Sequence, residues 1–245
     1  MTRSIRYTAV IGGGSLDYFK NIAQKHFQMS FEVYKIKISG NPDEDYPKLR
    51  FLNELNSDSR IRLDANNLWI NSDDVVRYCK NLPVNITGLE EPLKTKNKAA
   101  LAQLYRATGI PIILDESFQG LTDLDEIEKN IQAFILNLRV SKMGGILNSL
   151  EIVKRIKELK IRTIVGAQVG ESSLLTRASL LIAEQLNAYC IGMEGAYGTL
   201  LLEDDIVISS LMFGNGGKLL PYSILDKNAF GLQLKVLEEK IRVFS

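Results

Sequence analysis

The sequence holds one histidine, one tryptophan, two cysteines and six prolines in 245 residues, and no long apolar run. Each shortage excludes something. A lone His26 rules out chemistry that needs several histidines, so a packing or surface role is expected for it. Cys79 and Cys190 stand far apart with no C-x-x-C spacing, which predicts two plain thiols in a reducing, cytoplasmic compartment. No segment approaches the ~18 apolar residues of a membrane span. Residues 1–12, MTRSIRYTAVIG, lack the apolar stretch of a secretory signal. An excess charge of either sign is missing too. Lys+Arg is 30 against 29 for Asp+Glu, a net charge of +1, which argues against nucleic-acid or membrane-surface partners.

What is present is a rhythm. Eight short apolar runs recur: Arg6–Ile11, Val33–Ser39, Ile61–Ala65, Ile86–Leu89, Pro111–Asp115, Phe134–Val140, Thr163–Ala167 and Tyr189–Glu194. Helix-like stretches separate them, such as Ser149–Leu159 and Glu171–Ala183. In the first of these, Leu150, Ile152, Val153, Ile156 and Leu159 fit a 3.6-residue period, with Ser149 as a candidate N-cap. Nearly continuous apolar strands alternating with helices predict a parallel sheet covered by helices. Eight units, in a length near the ~250 residues of a (β/α)8 TIM barrel, favour a closed α/β barrel over an open doubly wound sheet. Residues 1–200 form that barrel in this reading, and residues 201–245 form a C-terminal extension. Gly12–Gly13–Gly14 follows the first run. It reads as a flexible turn, with a phosphate cradle as the weaker alternative, because the spacing is not G-x-G-x-x-G.

Polar residues at the run ends carry the functional signal. Lys35 and Lys37 flank Ile36, so alternation sets both lysines on one face of the second strand. Facing a helix layer they would be costly to bury; at the mouth of a barrel they face something anionic. Asp64, Glu90 and Asp115 end the third, fourth and fifth runs, and the steps from Lys37 are 27, 26 and 25 residues, one βα unit each. Barrels place active sites at those strand ends. Three converging carboxylates need a cation, and hard oxygen donors suit Mg²⁺.

The motifs together resemble a known family. Lys35-Ile36-Lys37, Asp64-Ala65-Asn66, Leu89-Glu90-Glu91-Pro92, Leu114-Asp115-Glu116-Ser117 and Asn137 to Gly145 (NLRVSKMGG) stand in order, one unit apart. They are similar to the barrel domain of the enolase superfamily, in its muconate-lactonizing subgroup of muconate cycloisomerases, o-succinylbenzoate synthases and dipeptide epimerases. The likeness runs from about Ser4 to Met193-Glu194-Gly195 and continues more loosely into Phe230-Gly231-Leu232-Gln233-Leu234. Two departures stand out. The barrel begins almost at once, so the family's N-terminal capping domain is expected to be lost, encoded elsewhere, or cut off by a misplaced start. The C-terminal extension would then be a remnant of that cap. Arg139 stands where the subgroup has its other catalytic lysine, while Lys142 keeps the motif's second lysine.

The resemblance implies a mechanism. Mg²⁺ held by Asp64, Glu90 and Asp115 binds a small carboxylate substrate and stabilises the enediolate left when the α-proton departs. Lys37 is the expected base and Lys35 its neighbour that helps orient the carboxylate. Arg139 is a fixed cation, since a guanidinium holds its proton. A one-base syn-elimination or cycloisomerisation is therefore expected, with an epimerase or racemase as an alternative. From another class, the chain is a degenerate barrel, or one that works only with a separate cap subunit; a homo-oligomer is a further expectation. Asn66 and Glu116 are expected to orient the metal ligands. Gln168 and Glu194 end the seventh and eighth runs, 26 residues apart, and are read as substrate-side residues along with Lys142. Glu171 is expected to favour a helix dipole, and Trp69 to anchor a loop.

Overall fold

Strand and helix alternate along the chain in the computed structural model, which describes residues 5–208, 210–219, 232 and 234–240. The parallel strands are β1 (Ala9–Ile11), β2 (Val33–Lys37), β3 (Arg60–Asp64), β4 (Gly88–Glu90), β5 (Ile112–Leu114), β6 (Phe134–Arg139), β7 (Thr163–Gly166) and β8 (Cys190–Met193), paired in sequence order. The last strand meets the first where Tyr7 bridges Met193 and the Thr8 N–H donates to the Met193 carbonyl at 2.8 Å. The helices are α1 (Leu16–Gln28), α2 (Pro42–Leu55), α3 (Ser72–Lys80), α4 (Lys98–Thr108), α5 (Leu121–Ile127), α6 (Ile146–Leu159) and α7 (Ser173–Leu186). This is the (β/α)8 architecture that the rhythm predicts.

Local chemistry starts and stops these helices. The Asn97 side chain accepts the N–H groups of Ala99 and Ala100 at the head of α4, and Gly109 ends that helix in the left-handed region at φ 71°. Asn41 caps α2, with Pro42 in the first turn where a missing N–H costs nothing. Cross-strand register then sorts the side chains. Ile36, Leu63, Leu89 and Ile112 stand level on neighbouring strands as one buried apolar row. One residue along, on the opposite face, Lys37, Asp64 and Glu90 form a polar row. Below it on that face are Lys35, Arg62 and Gly88. The sheet thus turns its apolar row to the helices and its polar rows to the barrel interior. Ile113, Ile135 and Ile164 form a separate small apolar cluster on the inner face of β5 to β7.

Several boundaries differ from the sequence reading. The first run is divided: Ile5–Arg6 pairs antiparallel with Lys218–Leu219, and the Tyr7 N–H donates to the Gly217 carbonyl at 2.8 Å before the chain joins the barrel. The fourth strand begins at Gly88, two residues after Ile86. Helix α6 begins at Ile146, so Ser149 is no N-cap; it is buried inside the helix and its hydroxyl donates to the Gly145 carbonyl at 2.7 Å. Leu150 is exposed, outside the buried stripe of Ile152, Val153 and Ile156. Helix α7 starts at Ser173, two residues after Glu171, whose carboxylate accepts the Gln168 N–H instead.

Residues 211–219 run from the C-terminal side of the strands, where the Leu211 N–H donates to Ser173 Oγ and the Phe213 N–H to the Ala196 carbonyl, to the place where β1 and β2 begin. Phe213 meets the rings of Tyr7 and Phe31, and the Gly216 N–H donates to Met29. Of the segment 230–234, only Leu232 and Leu234 lie within the described residues. His26 packs edge-on against Phe31 at 5.2 Å between ring centroids, and burial lowers its affinity for a proton. Trp69 is tied into its loop, with its ring 5.1 Å from that of Tyr78 and its backbone bridged to Leu93. Cys79 and Cys190 form no disulfide. No described helix is long and apolar enough to cross a membrane.

Candidate active site

Lys35 is the hub of the barrel interior. Its Nζ lies 3.1 Å from Glu90 Oε1, 3.1 Å from Glu194 Oε2 and 3.6 Å from Asp64 Oδ2. Burial works against its charge, but the carboxylates of Glu194, Glu90 and Asp64 outweigh burial and hold the ammonium firmly charged. Glu194 passes the network on. Its other oxygen accepts from Arg62 Nη2 at 2.9 Å, which also donates to Thr8 Oγ1 at 3.0 Å. The Asn137 amide reaches Glu90 and Glu194 at 3.3 and 3.4 Å. Glu194, read from sequence as substrate-side, thus sits buried below the mouth between two cations.

With all three carboxylates ionised, this interior group is one positive charge short. Asp64, Glu90 and Glu194 are three carboxylates against the two cations Lys35 and Arg62. Burial lifts Glu90 well above the usual carboxylate range and raises Asp64 as well. For Glu194 the two cations override burial and pull it below that range. Glu90 Oε2 is buried with no hydrogen-bond partner among the described residues.

Asp115 stands one step further up, since Glu90 lies level with Ile113. Strand tilt in a closed barrel makes such offsets necessary. Asp115 Oδ1 takes both Nε of Arg139, at 2.8 Å, and Nζ of Lys142, at 3.0 Å. Oδ2 has no hydrogen-bond partner among the described residues. Arg139 spreads over three strand ends, reaching Glu116 Oε1 at 3.2 Å and Gln168 Oε1 at 2.8 Å. Burial works against its charge, but Asp115 and Glu116 hold it more firmly protonated than usual. Lys142 does turn into the mouth, and burial lowers its proton affinity. Lys37 is exposed, at the strand end level with Asp64, and makes no ion pair among the described residues.

The motif residues have visible local work. Asn66 takes up φ 45°, and its N–H donates to Asp64 Oδ1 at 3.2 Å, while its side chain faces solvent. Glu91 is buried at φ 41°. Its Oε1 accepts the Asp115 N–H at 2.6 Å, the Ser117 N–H at 2.8 Å and the Ser117 hydroxyl at 2.7 Å. That carboxylate fixes the turn presenting Asp115. Arg62 was missed from sequence, and Asn137 and Glu91 entered only as motif residues without a role. Alternation could have found the first two, because Arg62 is two residues from Asp64 and Asn137 two from Arg139.

Asn137 also has a seat. A Cβ on Gly166 would come within 1.9 Å of Asn137 Oδ1. Gly166→Ala is expected to push Asn137 off Glu90 and Glu194 at a cost of about 1–3 kcal/mol, read by urea unfolding. A stability equal to wild type would show that the amide is not held there.

Residues 19–222 match the model of the enolase C-terminal domain-like family. The chain belongs to that family. It is 31% identical over 137 residues to the D-Ala-D/L-Ala epimerase of Cytophaga hutchinsonii, covering 56% of this chain and 37% of that one. It is 28% identical over 197 residues to muconate cycloisomerase 1 of Pseudomonas putida, covering 78% and 52%. Among solved structures, the Cytophaga hutchinsonii dipeptide epimerase complexed with Mg and the dipeptide D-Ala-L-Val superposes with a TM-score of 0.78 at 25% identity, covering 89% of this chain and 59% of that one. The chain spans about half the length, or less, of these curated relatives. The enolase-superfamily resemblance is thereby established, and the barrel fold is shared with the solved relatives.

A divalent cation fits the donor chemistry of the mouth. Three oxygen donors end consecutive strands, the group is short of positive charge, and Glu90 Oε2 and Asp115 Oδ2 lack partners. As the side chains stand, no three acidic, histidine or cysteine side chains among the described residues are close enough together to hold one ion.

Proposed function

We propose that this barrel abstracts the α-proton of a small carboxylate with the help of a divalent cation, Mg²⁺ by its hard oxygen donors. The observation that carries this is the level row Lys37–Asp64–Glu90 at the C-terminal strand edge, continued by Asp115 on β5. Asp64, Glu90 and Asp115 would hold the ion. When bound, it supplies positive charge beside the substrate carboxylate, lowering the cost of the negative charge that grows as the proton leaves. Lys37 takes that proton at Nζ, being the exposed lysine of the pair. Lys35 keeps Asp64 and Glu90 in place from below. Arg139, tied to Asp115, Glu116 and Gln168, offers a stationary charge opposite Lys37 and no second base.

One base on one face fits elimination or cycloisomerisation. Epimerisation is the second reading, favoured by the epimerase names among the relatives. The test is deuterium exchange in D2O over a panel of small carboxylates and dipeptides, with Mg²⁺ and with chelator. Mg²⁺-dependent loss of the α-proton signal is expected for at least one compound, from one enantiomer. Exchange that ignores chelator overturns the metal reading. Equal exchange into both enantiomers overturns the single base. In Arg139→Lys, exchange from the second face is expected, because a desolvated lysine can release a proton where guanidinium cannot. Silence in both proteins favours the degenerate barrel.

A further inference from the structure

Lys98 stands at the wrong end of its own helix. It is the first residue of α4, where the backbone amides already present positive charge, and it is only 6% exposed. A cation buried there is doubly unfavourable unless acceptors meet it. Two do. Its Nζ donates to the Ser117 carbonyl at 2.5 Å and lies 3.2 Å from Asp123 Oδ1. Asp123 uses its other oxygen to accept the Gln119 N–H at 2.6 Å. Both partners of Lys98 belong to the stretch between β5 and the first turn of α5, the stretch that carries Asp115. That stretch is also held from the other side. The Ser117 N–H and hydroxyl both donate to Glu91 Oε1, which takes the Asp115 N–H as well. Every polar group of Ser117 is therefore engaged by one of two buried side chains, Glu91 from the end of β4 and Lys98 from the start of α4. Between them the Phe118 N–H closes a turn on the Asp115 carbonyl at 3.0 Å, and Phe118 itself is fully buried.

We infer that Lys98 is a positioning residue for Asp115: by holding Ser117 it fixes the loop that presents the Asp115 carboxylate to the cation of the mouth. The inference rests on the cation reading above. Lys98 forms no hydrogen bond or ion pair with Asp64, Glu90 or Asp115, so its part is geometric. Mg²⁺ accepts its oxygen donors only near about 2.1 Å and tolerates little distortion, so a small drift of this loop is enough to lose one donor. Without the ammonium, the buried Ser117 carbonyl loses a charge-assisted donor and Asp123 loses its counter-charge. Ser117 would then be held on the Glu91 side alone, and Asp115, two residues before it, would be held less closely.

The experiment takes two readings on the full chain, neither of them activity. In metal-free protein, hydrogen exchange at the Asp115 and Ser117 amides is expected to run about tenfold faster or more in Lys98→Met, the loss of one charge-assisted hydrogen bond. By calorimetry, the Mg²⁺ dissociation constant of Lys98→Met is expected to rise by about the same factor. Leu104→Ala is the control. Leu104 is buried on the same helix and makes none of these contacts, so its loss should lower the melting temperature and leave Mg²⁺ affinity as in wild type. Lys98→Gln, which keeps a hydrogen donor without the charge, carries the same test should Lys98→Met fail to fold, with a loss in the same direction. Exchange at both amides that the variant leaves unchanged overturns the proposal. So does an equal loss of Mg²⁺ affinity in Leu104→Ala, which would make the effect one of helix stability. A wild-type protein that binds no Mg²⁺ overturns the metal reading and this inference with it, whereas wild-type binding that survives intact in Lys98→Met overturns only the role of Lys98.

Discussion

Lys37→Ala is expected to slow exchange of the substrate α-proton by about 10²–10⁴-fold, the usual contribution of a positioned general base. Its stability should stay within about 0.5 kcal/mol of wild type, as for a surface position without structural partners. The pairing of the two outcomes follows from geometry. Lys37 is exposed at the end of β2, without an ion pair among the described residues. Its removal costs the fold little and the chemistry its base. Deuterium exchange and thermal unfolding on the same preparation separate these effects. A variant that exchanges at the wild-type rate removes Lys37 from the mechanism. One that unfolds early shows that the lysine is structural.

Lys35→Met is expected to do the reverse. Lys35 is 6% exposed, and its ammonium stands among Asp64, Glu90 and Glu194. Without it, three carboxylates share the interior with Arg62 alone. Breaking a buried ion network by removing one partner costs about 3–5 kcal/mol. For a chain of this size that is a fall of roughly 6–20 °C in melting temperature. The measurement is made with chelator present, so that no added cation replaces the lost one. A second change, Glu194→Gln, should recover part of the loss by removing one stranded charge. A melting temperature within a degree or two of wild type would show that the carboxylates accept burial without Lys35.

These two lysines are two residues apart and look alike in the sequence. Alternation sets both on one face, as the register bears out, and the spacing places Asp64 and Glu90 at the ends of neighbouring strands with Asp115 just beyond the next. It cannot separate their roles. The difference is depth: Lys35 is level with Arg62 and Gly88 inside the barrel, and Lys37 is level with Asp64 at its rim. Glu194 shows the same limit. Its place at the end of a strand reads as a place beside the substrate, but its side chain turns to Lys35 and Arg62, from which it is 159 and 132 residues distant in the chain.

What the sequence by itself determines is therefore periodic and local. The strand count, the inward and outward faces, and the order of carboxylates along the strand ends all follow from spacings within one or two βα units. What the tertiary structure alone decides is which charge meets which across the barrel. Closure through Tyr7 and Met193 brings Glu194 to Lys35, and the strand offset lifts Asp115 above Glu90 and delivers it to Arg139 and Lys142. Those encounters depend on strand tilt and on the curvature of the whole sheet, quantities that a closed ring fixes and that no short stretch of chain contains.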